Sequence, residues 1–384
     1  MQGEILAKEE RMTEKSFGVH CILHQENSAE GICMFCDQCF CSQCLTKIGK
    51  KFICRDCGKT LYRSVTPHQL AIFSGRSNEL LAQRVCNKLG VELGKMRFTD
   101  FEGSEMRPQF LENLRGRRVF IIQPTVASED ELGAKVREEL LIMIRAAKQA
   151  SAQEVCVVIP DFAYQRQERK TQPRIAISAR LMIDLFETAG ADRFVFVDLH
   201  AGAIQGFTNK PVDHLWATPL LLKEAFADLI DSNRTVFLTD AGYAKVVGAY
   251  ARKFGVGFAV AHKEGRDTTD DRVDQITIIG NVSGKVVLII DDIVKSAGTM
   301  IKMGQACLKN GAIKVVGGGI HGELTEGAAE RIQLSCLDFL AVTDTVHIPE
   351  RKLHEKIRVV SVDKLIADAI KAIYEYGSVS ALFD

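Results

Sequence analysis

The chain carries no excess charge of either sign: Lys plus Arg and Asp plus Glu each number 49 in 384 residues. No overall field therefore draws it to nucleic acid or to a membrane surface. It has no apolar run approaching a membrane span, no low-complexity tract and no signal-like start, since its first residues, MQGEILAKEERMTEKS, are densely charged. A cytoplasmic protein is expected. Cysteine is sparse along most of the chain: of 12, only Cys86, Cys156, Cys307 and Cys336 lie outside the stretch from Cys21 to Cys57. Such clustering points to metal and away from an extracellular disulfide framework. At 46% hydrophobic residues the chain is long enough for two core-forming domains and something smaller.

Residues 1–18 read as a solvated, mobile tail. Ligand-type residues then come in pairs: Cys21-x2-His24, Cys33-x2-Cys36, Cys41-x2-Cys44 and Cys54-x2-Cys57, with Cys39 left over. Each spacing lets two side chains turn back onto one ion, so four pairs suit two tetrahedral Zn2+ ions. About forty residues bury little core, so zinc would supply the folding energy. Eight ligands leave no open coordination position, which favours a structural or protein-docking role over catalysis. Lys47, Lys50, Lys51 and Arg55 are interspersed with acids, and nucleic-acid binding is not expected. The module resembles B-box-like, cross-braced zinc modules; that resemblance implies that pairs one and three hold one zinc, and pairs two and four the other. Residues 58–69 read as a linker.

From Leu70 onward, short apolar runs alternate with helical patterns, the signature of βαβ units and parallel sheets. Expected strands are Leu70–Phe73, Val119–Gln123, Val155–Ile159, Phe194–Val197, Val236–Leu238, Gly257–Ala261, Val286–Ile290, Ile313–Val316 and Phe339–Val342. Amphipathic stretches such as Glu138–Gln149 and Ile177–Ala189 lie between them. Two series of strands suggest two α/β domains dividing near Asp213–Thr218.

The most informative stretch is KVVLIIDDIVKSAGT, Lys285–Thr299. Five β-branched or apolar residues read as a doubly buried strand that stops at Asp291 and Asp292. The turn Ser296-Ala297-Gly298-Thr299 follows, then a helical segment, Met300–Asn310. A strand, a tight loop and a helix N-terminus together favour a phosphate, and the acid pair suits ribose hydroxyls or a magnesium ion.

This stretch resembles the ribose-5-phosphate loop of the type I phosphoribosyltransferase fold, and most closely that of ribose-phosphate pyrophosphokinases (PRPP synthetases). Their usual form is Asp-Asp, two apolar residues, Asp-Thr, then Ala-Gly-Thr or Gly-Gly-Thr. Lys295 stands here in place of the Asp and Ser296 in place of the Thr. The resemblance runs from about Ala71 to Ser378–Phe383, through FSGRSNELLAQRV, RFTDFE, YQRQERK and DLHAGAIQGF. It implies an α/β chain of two phosphoribosyltransferase-like parallel-sheet domains, residues 70–214 and 215–384, preceded by the small zinc-stabilised module at 19–60.

The implied reaction transfers diphosphate from Mg-ATP to the C1 hydroxyl of ribose 5-phosphate, giving PRPP and AMP. By the same resemblance Phe98, Asp100 and Glu102 reach a neighbouring subunit's ATP, while Arg166, Gln167 and His200 contact ATP and its phosphates. His200 and Asp240 serve the magnesium. Asp240, Asp291, Asp292, Lys295, Ser296, Ala297, Gly298 and Thr299 bind ribose 5-phosphate. Lys263, with His200 and Arg266, stabilises the transferred group. The family's catalytic Arg follows the Lys by two residues, where this chain has Gly265, with Arg266 one step later. Arg115 resembles an allosteric phosphate contact, and Thr325 replaces a phosphate-binding Ser. A homo-oligomer, dimers stacked into hexamers or filaments, is implied, with a protein partner conceivable at the zinc module. Lys295 either pairs with Asp291 or Asp292 and blunts their metal affinity, or contacts diphosphate directly. The first outcome, together with Gly265, gives the alternative reading: a catalytically weak homologue that binds nucleotides and regulates a partner.

Overall fold

The computed structural model describes residues 20–34, 36, 38–48, 51–57, 70–126, 133–264 and 275–383. It forms two compact units, divided between Gln69 and Leu70. The expected tail (1–18), the expected linker (58–69), Lys50, Gly265 and Arg266 lie outside the described residues.

The first unit contains two antiparallel pairs. β1 (Gly31–Ile32) faces β2 (Cys39–Phe40), and β3 (Leu45–Ile48) faces β4 (Lys51–Cys54). Its core is Phe40, Ile53 and five cysteines, Cys21, Cys33, Cys41, Cys44 and Cys54. That much apolar surface is too little to hold a fold by itself.

The second unit forms, among its described residues, two large sheets and a separate two-stranded hairpin. Its first half runs β5 (Leu70–Ser74), α1 (Glu79–Leu89), a hairpin β6–β7 (Met96–Asp100 and Met106–Phe110), β8 (Arg118–Ile122), α2 (Gly133–Gln149), β9 (Glu154–Ile159), α3 (Ser178–Ala189), β10 (Arg193–Val197) and β11 (Val212–Leu215). The second half runs α4 (Thr218–Ala225), β12 (Thr235–Asp240), α5 (Ala244–Phe254), β13 (Gly257–Glu264), β14 (Gln275–Ile279), β15 (Val286–Val294), α6 (Gly298–Lys309), β16 (Lys314–Gly322), α7 (Ala328–Gln333), β17 (Leu340–Thr343), β18 (Ile357–Val360) and α8 (Asp363–Tyr374).

Strand order is β11-β10-β9-β8-β5, all parallel, in one sheet and β14-β13-β12-β15-β16-β17-β18 in the other. Only β14 runs antiparallel among the paired strands of the larger sheet. Strands such as β8 and β9 are buried along nearly their whole length, because helices cover both faces of a parallel sheet. One apolar cluster joins Ile72 and Val195 of the smaller sheet to Phe237 and Leu288 of the larger, through Leu81 of α1 and Ile370 of α8. The two sheets therefore share a continuous core.

One expectation about β15 is corrected. The strand does not stop at the acid pair but continues through Asp291 and Asp292 to Val294, because β16 goes on pairing with it (Asp291 with Gly319, Ile293 with His321, Val294 with Gly322). The acids are thus strand residues, and Asp292 is only 2% exposed. Close approach beneath them needs glycine: a Cβ at Gly319 would lie 2.4 Å from Val294 Cγ2.

Candidate active site

The carboxyl ends of β9, β10, β12 and β15 supply the site, the position at which open parallel sheets take ligands. Asp292 is its centre. One carboxylate oxygen meets His200 Nδ1, and the other lies 3.6 Å from Arg166 Nη2. Burial by itself would push the Asp292 carboxyl up, but the His200 hydrogen bond and charge, followed by Arg166, hold it well below the usual carboxylate range. Asp291 goes the other way. Burial, then the charge of Asp292, raise it well above its ordinary value, with Asp240 adding to the effect. Adjacent acids are thereby pushed apart, Asp292 towards the ionised form and Asp291 towards the protonated one.

A layer that sequence patterning did not reveal fixes these groups. Gln165, 3% exposed, accepts the His200 amide at 2.8 Å and donates to Asp161 Oδ1 at 2.9 Å. His321, fully buried at the end of β16, places Nε2 3.1 Å from the Asp198 carbonyl, so that nitrogen must carry a proton. Its Nδ1 lies 3.0 Å from Thr345 Oγ1 and 3.7 Å from Asp161. Burial raises both Asp161 and Asp198 to about 6, opposed at Asp161 by the charge of His321. Asp198 Oδ2 also accepts the Ala217 amide, which ties the turn after β10 to the start of α4. Tyr164 (φ 64°), Asp198 (φ 39°), Ala297 (φ 59°) and Leu324 (φ 36°) are left-handed without being glycine. Strain of about 1–3 kcal/mol per residue gathers at such sites when the surroundings enforce it.

The loop Lys295–Ala297 leads into α6, whose first residues are Gly298 and Thr299. It is held from behind: the Leu324 and Thr325 amides donate to the Val294 and Lys295 carbonyls at 3.1 and 3.0 Å, and Arg331 Nε to the Ser296 carbonyl at 3.0 Å. Lys295 does not pair with Asp291 or Asp292. Its Nζ lies 2.9 Å from Glu323 Oε2, just past the end of neighbouring strand β16. Asp240, at the end of β12, accepts the Gly242 and Tyr243 amides at 3.0 and 3.2 Å. Oxygen donors of this kind fit Mg2+, which takes one or two carboxylates and completes its shell with water and substrate phosphates.

Phe98, Asp100 and Glu102 stand apart from this cluster. Asp100 pairs with Arg76 at 2.7 Å and Lys135 at 3.1 Å, and the Arg76 guanidinium sits 5.1 Å over the Phe98 ring. Lys263 belongs to β13, while Arg115 and Thr325 are exposed loop residues, before β8 and after β16.

In the N-terminal unit the eight ligand-type residues converge as two groups, Cys21–His24–Cys41–Cys44 and Cys33–Cys36–Cys54–Cys57, each with its donor atoms within 4.8 Å of one another. Pairs one and three, and two and four, meet as the cross-braced arrangement requires. Sulfur separations of 3.9 Å, Cys21 to Cys44 and Cys36 to Cys54, match the ~3.8 Å edge of a tetrahedron with Zn–S bonds of about 2.3 Å. Both donor sets fit zinc. Cys39 belongs to neither.

Comparison with known proteins covers the second unit. A model of the N-terminal domain of ribose phosphate pyrophosphokinase matches residues 70–190, a phosphoribosyl transferase domain matches 220–318, and a phosphoribosyl synthetase-associated domain matches 274–384. A ribose-phosphate pyrophosphokinase of Rhizobium meliloti is 40% identical over 82% of this chain and 100% of its own length. One of Porphyromonas gingivalis is 37% identical over 82% and 98%. The crystal structure of phosphoribosylpyrophosphate synthetase from Mycobacterium smegmatis superposes with a TM-score of 0.73 at 33% identity, over 80% of this chain and 100% of that one. The chain belongs to the ribose-phosphate pyrophosphokinase family.

Proposed function

We infer that the protein is a ribose-phosphate diphosphokinase, transferring the β,γ-diphosphoryl group of ATP to the anomeric hydroxyl of ribose 5-phosphate to give PRPP and AMP. The observation that carries this reading is the meeting of His200, Arg166 and Asp292 at the head of the loop Lys295–Thr299. Diphosphoryl transfer needs alignment and charge neutralisation more than covalent help, and that arrangement offers both. Arg166 and Gln167 hold the ATP phosphates and base. Asp291 and Asp292 position the ribose hydroxyls, Ser296, Ala297, Gly298 and Thr299 cradle the 5-phosphate, and His200 and Asp240 hold Mg2+, which neutralises the polyphosphate. Lys263 and Arg266 act on the transferred group. Phe98, Asp100 and Glu102, whose partners lie outside their own chain's cluster, serve the site of a second subunit in a homo-oligomer. Arg115 and Thr325 take an allosteric phosphate. Two structural Zn2+ ions fill the Cys/His groups, and the N-terminal module offers a docking surface to a protein partner. With no helix of the described residues long and apolar enough to cross a membrane, the cytoplasm is the proposed location.

The weak-homologue alternative drew on Lys295 neutralising the acid pair and on Gly265 standing where the family has an Arg. The Lys295–Glu323 ion pair speaks against the first, Gly265 lies outside the described residues, and the active enzyme is the better reading. The test is AMP and PRPP formation from Mg-ATP and ribose 5-phosphate, with Lys263→Ala as the blank. Turnover lost in the blank supports the synthetase; folded, ATP-binding protein without turnover returns the regulatory reading.

A further inference from the structure

We propose that Lys295 is an anion-binding residue, held by Glu323 at the wall of a cavity it shares with Arg166, and that this cavity takes a diphosphate group. The cavity measures about 410 Å³ and is lined by Arg137, Arg166, Lys295 and Glu323 with the apolar side chains of Phe162 and Ile293. Among the described lining residues Arg137, Arg166 and Lys295 outnumber Glu323, and with Asp292 set against Arg166 one positive charge remains in excess beside a wall that is partly hydrocarbon. An anionic group answers that balance.

The two members of the ion pair are placed unequally. The Glu323 side chain is 9% exposed, while that of Lys295 is 50% exposed. A fixed carboxylate therefore steadies a reachable ammonium, which has three protons and gives one to Glu323. The backbone at Lys295 is fixed too, because its carbonyl accepts the Thr325 amide at 3.0 Å. Arg166 reaches Asp292 with one edge, at 3.6 Å, and its side chain is 45% exposed, so donors remain for an anion. Arg137 is steadied by Tyr164, with its guanidinium 4.9 Å over the ring and Nη2 3.2 Å from the hydroxyl. Glu323 is thus a positioning residue, and Lys295 lines the cavity.

Naming diphosphate as the occupant rests on the reaction inferred above. Arg166 stands on the side given to ATP and Lys295 on the loop given to ribose 5-phosphate, so the group passing between the two substrates is the one that meets both cations. The cation in place of the family's aspartate then stabilises the transferred group and leaves the metal-facing acids untouched.

The test is calorimetric binding of inorganic diphosphate at fixed Mg2+, alongside steady-state kinetics. Lys295→Ala should weaken diphosphate binding about tenfold, and Lys295→Arg should keep it within about threefold. Glu323→Gln should weaken it less, and should add nothing to Lys295→Ala. In turnover, Lys295→Ala should lower kcat and leave the KM for ribose 5-phosphate within about twofold. Diphosphate binding unchanged in Lys295→Ala, or a raised KM for ribose 5-phosphate at constant kcat, overturns the proposal and returns Lys295 to the sugar site. Lys295-dependent diphosphate binding in a protein without synthetase turnover would uphold the anion site while removing the inferred reaction.

Discussion

At the scale of single residues, the site works by holding like groups in unlike states. Asp292 stays ionised because His200 and Arg166 face it; Asp291 beside it is pushed towards the neutral form by burial and by Asp292. Asp292→Asn keeps the shape and removes the charge, and should cost at least about a hundredfold in kcat for AMP formation. An unchanged circular dichroism spectrum would assign the loss to the site. Asp161 gives a second prediction, in stability. Burial raises its carboxyl from 3.8 to about 6, so the folded chain binds this proton more tightly than the unfolded chain. Its contribution is greatest at acidic pH and declines as pH rises from about 4 through about 6. His321, which Asp161 raises against the lowering effect of burial, acts in the same direction, since its proton too is held better in the fold. Asp161→Asn should therefore gain on the parent as pH rises, with the difference in melting midpoint growing by about 2–4 °C between pH 4 and pH 6.5. A constant difference across that range would show that Asp161 does not titrate in the window.

At the scale of elements, the phosphate loop depends on how closely β15 and β16 approach. Gly319→Ala would set a methyl group against Val294 Cγ2, and a β-branched side chain has little freedom to move aside. The expected cost is about 1–3 kcal/mol of stability, with a raised KM for ribose 5-phosphate, both partly recovered by adding Val294→Ala; denaturant melts and initial rates would measure them. The same elements show what sequence could and could not reveal. Nine strands were legible because a strand covered on both faces leaves an unbroken apolar run, as in VFII of β8 and VVLII of β15. β15 was read four residues short because its last turn of pairing carries Asp291 and Asp292, and acids in a buried strand look like its end. The β6–β7 hairpin was missed: MRFTD and MRPQF are short and carry few apolar residues, and the proline of the second, buried here at position 108, argues against a strand. Asp161, Gln165, His321 and Glu323 were missed for a different reason. Their partners lie up to 160 positions away (Asp161 to His321), and only the fold brings them together. The acid pair and the DLH turn were legible because loop chemistry is local.

At the scale of the whole molecule, the chain joins two solutions to the problem of stability. Residues 70–383 bury three extended apolar clusters and have no need of metal for their fold. The N-terminal unit has a core of two apolar side chains and five cysteines, and the proposed zinc ions would supply its folding free energy. Metal chemistry and enzyme chemistry should therefore separate cleanly. The purified protein should hold two zinc ions per chain, and Cys44→Ser should reduce that to about one, since it removes a ligand from one group only. Chelation should expose residues 20–57 to protease while the melting transition of the remainder stays within about 1 °C of the zinc-loaded protein. Zinc analysis, limited proteolysis and calorimetry on the full-length chain would measure all three. A fall in the main transition on chelation would mean that the small unit stabilises the large one, and its role would then be structural support for the enzyme in place of docking to a partner. An unchanged main transition with a lost small unit would agree with the proposed docking role, for which the unit offers Ile22, Leu23, Ile32 and Met34, each about half exposed.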